Sequence, residues 1–143
     1  MLDVSDIMTP RQNLVVMRPE STVEEVRRAM ATNKIRHLPV LDGTGSLVGL
    51  VSQTDVLVAG NGGARTVREI MIPDPETVDE RDNIRNAALL MVRHKRSCLP
   101  VIRERELRGI VTDSDFLGVA ITLMEQSEAV EPDADDLDGS DEL

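Results

Sequence analysis

Apolar residues fall at helical spacing in two stretches of the chain and in short solid runs in four others. Val23, Val26 and Met30 recur at three- and four-residue intervals, which predicts a helix with one buried face. Ser21-Thr22-Val23-Glu24 has the form of a capping box, with Ser21 as cap and Glu24 reaching back. Ile84, Ala87, Ala88 and Met91 draw the same stripe later, and Asp82 stands ready as its cap. The solid runs are Leu38–Leu41, Leu47–Ser52, Leu99–Ile102 and Leu107–Thr112, short and rich in branched residues, as strands are. Asp42-Gly43-Thr44-Gly45 is a strong turn between the first two, whereas Arg103-Glu104-Arg105-Glu106 has to turn without glycine. Helices open after the second and fourth runs, near Thr54 and Ser114. The later one extends to about Met124 through Phe116, Leu117, Val119, Ala120, Ile121 and Leu123.

These elements come in the same order twice. Val4–Pro10 returns as Val67–Pro73, 63 residues on; Arg36–Leu41 returns as Ser97–Ile102, 61 on; Leu47–Asp55 returns as Leu107–Asp115, 60 on. The shrinking offset puts small deletions in loops. Each half reads β-α-β-β-α behind a short helical lead, Val4–Met8 or Val67–Met71, giving a mixed α/β (α+β) chain of tandem repeats. Two units with a period near 60 residues do not make a solenoid. A unit of that size is marginal alone, so the halves should share a core, and any site between them should occur twice. The expected organisation is a first repeat at 1–60, a glycine-rich linker at 61–64, a second repeat at 65–124 and a tail at 125–143. Gly60-Asn61-Gly62-Gly63-Ala64 lacks the Walker lysine and does not join a strand to a helix, so it reads as a linker and not as a phosphate loop.

Composition narrows the function classes once the charge is located. The net charge is -10, but residues 125–143 hold nine acids and no base, leaving 17 acids against 16 bases in the body. The acidity therefore belongs to a tail, too polar to join a core and expected to be disordered. Phe116 is the only aromatic residue, so the stacking platforms of single-strand nucleic acid binders are missing, and the bases form no stripe for a duplex. One cysteine precludes an internal disulfide framework. Neither a signal peptide nor an apolar run of membrane-spanning length is evident, which predicts a soluble, cytoplasmic protein without membrane contact.

Nothing in the pattern calls for catalysis. Cys98 stands at the edge of a strand predicted to be buried, where a thiol acts as a small hydrophobe. His37 aligns with Cys98 between the halves, and His94 falls near a helix end. These three show no spacing for a metal site and no nucleophile–base pairing, so the expectation is binding without turnover.

Three motifs, in order and twice over, resemble the CBS domain pair, or Bateman module. They are Ile-Met-Thr-Pro at Ile7–Pro10, Leu-Pro-Val at Leu38–Val40 and Leu99–Val101, and Gly-aliphatic-Val-(Ser/Thr)-x-(Ser/Thr)-Asp at Gly49–Asp55 and Gly109–Asp115. The likeness covers roughly residues 3–124. It implies two half-sheets packed with pseudo-twofold symmetry, two clefts that take AMP, ADP or ATP (or another adenosine-bearing ligand such as S-adenosylmethionine or NAD), and assembly as a homodimer. The implied role is a regulatory sensor read by a separate protein partner; the competing role is a dimerisation scaffold with vestigial clefts.

The residues suit such a ligand. Hydroxyls at Ser52, Thr54, Thr112 and Ser114 can donate to phosphate where a strand passes into a helix, although the same residues also serve as plain caps. The family pattern gives Asp55 and Asp115 the ribose hydroxyls. Arg36, two residues before Leu-Pro-Val, suits phosphate through its planar fork, and Ser97 is its counterpart. The lead segments, Thr9, Pro10, Asn13, Leu14 and Val15 in one half and Ile72 to Thr77, Pro73 included, in the other, are expected around adenine. Sites should combine the lead strand of one half with the closing signature of the other. The better cleft is then Thr9 with Thr112, Ser114 and Asp115; the second is Ile72 with Ser52, Thr54, Asp55 and Arg36.

Overall fold

A computed structural model describes residues 2–60 and 65–130, with side chains through residue 128. The linker expected at 61–64 and the tail from 131 on lie outside the described residues. Residues up to Asp113 form one compact unit, and a second begins at Ser114.

The two predicted helices are α1 (Val23–Asn33) and α4 (Ile84–His94), and both start one residue later than their expected caps. Thr22, not Ser21, caps α1: its Oγ1 accepts from Glu25 N at 3.0 Å while Glu25 accepts from Thr22 N at 2.9 Å. Asn83, not Asp82, caps α4, accepting from Asn86 N at 2.8 Å. The physical reason is long-range. Thr22 bridges to Thr66 and Asn83 to Asp3, so each cap is held extended by the lead segment of the other half. Both helices end on a lysine in the left-handed conformation, Lys34 and Lys95, with φ 55° each.

Strands β2 (His37–Leu41) and β3 (Leu47–Ser52) form one hairpin, and β6 (Cys98–Arg103) and β7 (Glu106–Thr112) the other. Their registers repeat, with His37 opposite Ser52 and Cys98 opposite Thr112, and each carries an irregularity at the same step, Val40/Leu41 and Val101/Ile102. The second hairpin turns on Glu104 and Arg105, both at positive φ (51° and 70°), which is how it manages without glycine.

The lead strands cross over. β1 (Thr9–Pro10), from the first half, pairs antiparallel with β7; β4 (Ile72–Pro73), from the second, pairs with β3. The sheets are therefore β1-β7-β6-β5, with β5 at Val78–Asp79, and β2-β3-β4. α2 (Gln53–Ala59) follows β3, α3 (Val67–Ile70) precedes β4, and α5 (Asp113–Val130) follows β7. α5 outruns the expected end at Met124, because Glu125 to Val130 continue the helix before the acid-dense stretch begins.

Each half lends apolar surface to the other. Val67 is fully buried among Val23, Val26, Met30, Leu38, Val40, Val51 and Val56. Leu50, Ile110 and Cys98 form a smaller cluster that joins the two sheets. Cys98 is buried there as a small hydrophobe, as its strand position predicts.

Candidate functional site: two clefts and the cavity between them

The crossed strands build two cavities by the same rule. Thr9 faces Ile110 across β1–β7, and Thr112 lies two residues along, on the same face of the sheet. The cavity of about 300 Å³ beside them is lined by Thr9, Asn13, Val15, Arg36, His37 and Thr112, among others. In the other sheet Ile72 faces Leu50, and Ser52 lies two residues along. That cavity, about 260 Å³, is lined by Ile72, Pro73, Ser52, Ser97, Cys98 and, again, His37.

Lead strand and opposite closing strand thus come together as the sequence implies. Arg36 does not go where it was expected. It lines the Thr9 cleft, not the Ile72 cleft, because the loop leaving α1 runs to the lead strand of its own half. Its counterpart Ser97 obeys the same rule and lines the Ile72 cleft with Lys95 and Arg96.

The walls differ in character. Leu14, Val15, Ile35 and Ile110 give the Thr9 cleft an apolar floor, with Asn13, Asn33, Thr9 and Thr112 as polar points and no carboxylate. The Ile72 cleft has Asp74 and Glu76 among its lining residues. Glu76 takes His94 Nδ1 at 2.6 Å and Arg96 Nε at 3.4 Å, which gives His94 a partner that helix-end placement alone did not suggest.

A third cavity of about 180 Å³ is lined by Arg36, His37, Ser52, Gln53, Thr54, Ser97 and Asp113. His37 lines all three cavities. Its Nε2 lies 3.2 Å from Ser97 Oγ, joining the starts of equivalent strands. Burial pulls the imidazole pKa below its usual value and Arg36 adds to this, while Asp113 and Asp55 oppose it.

Other expected ligand groups stand elsewhere. Pro10 sits opposite Gly109 and does not line these three cavities. Asp55 does not line them either: its Oδ2 accepts from Ser52 N at 2.8 Å and from Ser52 Oγ at 2.9 Å, completing the capping box of α2. Ser114 and Asp115 open the second unit, in the first turn of α5. The sequence reading passed over Asn33, Ile35, Gln53 and Arg96. Only their nearness to the loop before Leu-Pro-Val, or to the closing signature, marks them.

With this geometry, two crossed half-sheets with paired clefts define a CBS-pair architecture. The family model for the CBS domain matches residues 4–62 and 67–122, and the chain belongs to that family. Among solved structures it is similar to AcuB from Vibrio cholerae (34% identity, TM-score 0.82, covering 90% of this chain and 98% of that one). It is likewise similar to CBSX2 of Arabidopsis thaliana in complex with AMP (32%, 0.77, covering 87% and 99%). The CBS domain pair of protein MJ0100 in complex with 5′-methylthioadenosine and S-adenosyl-L-methionine is a further likeness (27%, 0.72, covering 83% and 95%). By sequence the chain is 41% identical over 105 residues to an inosine-5′-monophosphate dehydrogenase of Korarchaeum cryptofilum, covering 73% of this chain but 22% of the dehydrogenase. It spans 66% of the length of chloroplastic CBSX2. No helix among the described residues is long and apolar enough to cross a membrane.

Proposed function

We propose that this chain is a regulatory module that binds an adenosine-containing nucleotide, AMP, ADP or ATP, in the Thr9 cleft without turning it over. The observation that carries the reading is the meeting of Thr9, Asn13, Arg36 and Thr112 around an apolar floor. Adenine lies against Val15, Ile35 and Ile110, with amide contacts from Asn13. Thr112 and Arg36 serve the sugar-phosphate end, the guanidinium being suited to phosphate. Asp115 enters as a ribose acceptor through the family pattern and not through a position. The AMP complex of CBSX2 and the adenosyl ligands of MJ0100 support the ligand class.

The Ile72 cleft lacks the lead-strand hydroxyl and holds two carboxylates, so it is weaker for phosphorylated ligands. The ligand's occupancy is read by a protein partner or by a second copy of the chain. On α5, Leu117, Ile121 and Met124 are 63%, 55% and 63% exposed at i, i+4 and i+7, a stripe suited to pairing as a homodimer.

Thermal shift against AMP, ADP, ATP, S-adenosylmethionine and NAD tests the proposal. A ligand at 100 times its Kd stabilises the native fold by about 2.7 kcal/mol, which moves the melting temperature measurably. No shift with any of the five would favour the scaffold role.

A further inference from the structure

The cavity around His37 has a use that rests on the nucleotide reading but goes beyond it. Arg36 and His37 are shared between this cavity and the Thr9 cleft; His37, Ser52 and Ser97 are shared between it and the Ile72 cleft. A phosphate attached to a nucleoside in either cleft has this common space to enter. Its fixed charges cancel, because the Arg36 guanidinium stands against the Asp113 carboxylate. Asp55, in the next turn of α2, adds a further negative charge felt by His37. Lys95, Arg96, Asp74 and Glu76 face His37 from the Ile72 side and balance one another. The sign of the lining is therefore set by the imidazole.

We infer that this cavity is a proton-coupled phosphate site, reached from both clefts, which takes one phosphate group at a time together with one proton on His37. Unliganded, the buried ring is held neutral, and its Nε2 shares the contact with Ser97 Oγ. When a phosphate dianion enters, the protonated ring donates to it while Arg36 pairs with a second oxygen. Ligand affinity then depends on pH for nucleotides and not for nucleosides.

The chain has two histidines, so proton NMR resolves the titration directly, with His37→Gln assigning the resonance. The full chain is titrated alone, with saturating adenosine, with saturating AMP, and with inorganic phosphate. AMP should raise the His37 midpoint by about one pH unit or more, while adenosine leaves it in place. A rise with inorganic phosphate alone would assign the site to free phosphate as well as to nucleotide phosphate, and would support the site itself. An unmoved His37 in a chain that demonstrably binds AMP would overturn the inference and leave the nucleotide reading intact. Failure to bind either AMP or adenosine would overturn both. Calorimetry adds occupancy: one AMP per chain is expected, and two bound together would overturn the sharing.

Discussion

Gly109 sits opposite Pro10, and a Cβ on Gly109 would run into the carbonyl oxygen of Thr9. That close approach is what lays β1 on β7 and brings Thr9 beside Thr112. Gly109→Ala must move backbone, since the Met8 side chain is also in the way at 2.9 Å from its Sδ. The substitution should cost about 1–3 kcal/mol, read as a lower urea midpoint, and should weaken any ligand in the Thr9 cleft. Gly49, the equivalent position, meets mainly the flexible Met71 side chain, with Ile72 O at 3.3 Å. Gly49→Ala should therefore cost less, and the reverse ranking would contradict the strand-crossing account.

Asp55 and Asp115 occupy the same place in the repeat but should respond differently to removal. Asp55→Ala deletes the acceptor for Ser52 N and Ser52 Oγ and should lower stability by about 0.5–2 kcal/mol, with adenosine affinity in the Thr9 cleft unchanged. Asp115→Ala should weaken adenosine binding by about 1.5–3 kcal/mol, as loss of a charged hydrogen bond does. Calorimetric titration alongside chemical denaturation separates the two effects.

Arg36→Ala should reduce AMP affinity by about 1.5–3 kcal/mol and barely alter adenosine affinity, because the guanidinium faces the phosphate end. Equal loss for both ligands would place it on the nucleoside instead.

How far the chain could be read from its pattern follows from which forces are local. The helical stripes, the four strands and their doubled order were legible because burial imposes its period on consecutive residues. Caps at Thr22 and Asn83 were misread by one residue, since the extended partners that hold them, Thr66 and Asp3, lie 44 and 80 positions away. Thr9 and Thr112 were legible as a pair through the family pattern, and the β1–β7 register supplies the physical reason. The position of Arg36 was not: it depends on which way a short loop leaves α1, and no residue in that loop encodes the direction alone. His37 was aligned with Cys98, yet nothing in sequence shows one ring lining three cavities.

The hairpin between β6 and β7 stores removable strain. Glu104 and Arg105 occupy the two central positions at positive φ, a region that costs a side-chain-bearing residue roughly 1 kcal/mol. Replacing them with Asn-Gly should stabilise the chain by about 1 kcal/mol, read as a higher denaturation midpoint, with ligand affinities unchanged.

His37 should also make stability depend on pH. Its folded pKa is depressed below the ordinary 6.5, first by burial and then by Arg36. The unfolded chain therefore takes up the proton first as pH falls. Stability contributed by the neutral ring is complete above about pH 6.5 and is lost progressively as pH drops from there through the folded pKa. Urea unfolding at pH 7.5 and 5.5 should show a larger loss for the wild type than for His37→Gln, whose side chain never charges. Carboxylates titrate identically in both proteins, so the difference isolates the imidazole. Equal losses would mean that the folded protein accepts the charged ring without cost, which its burial beside Arg36 argues against.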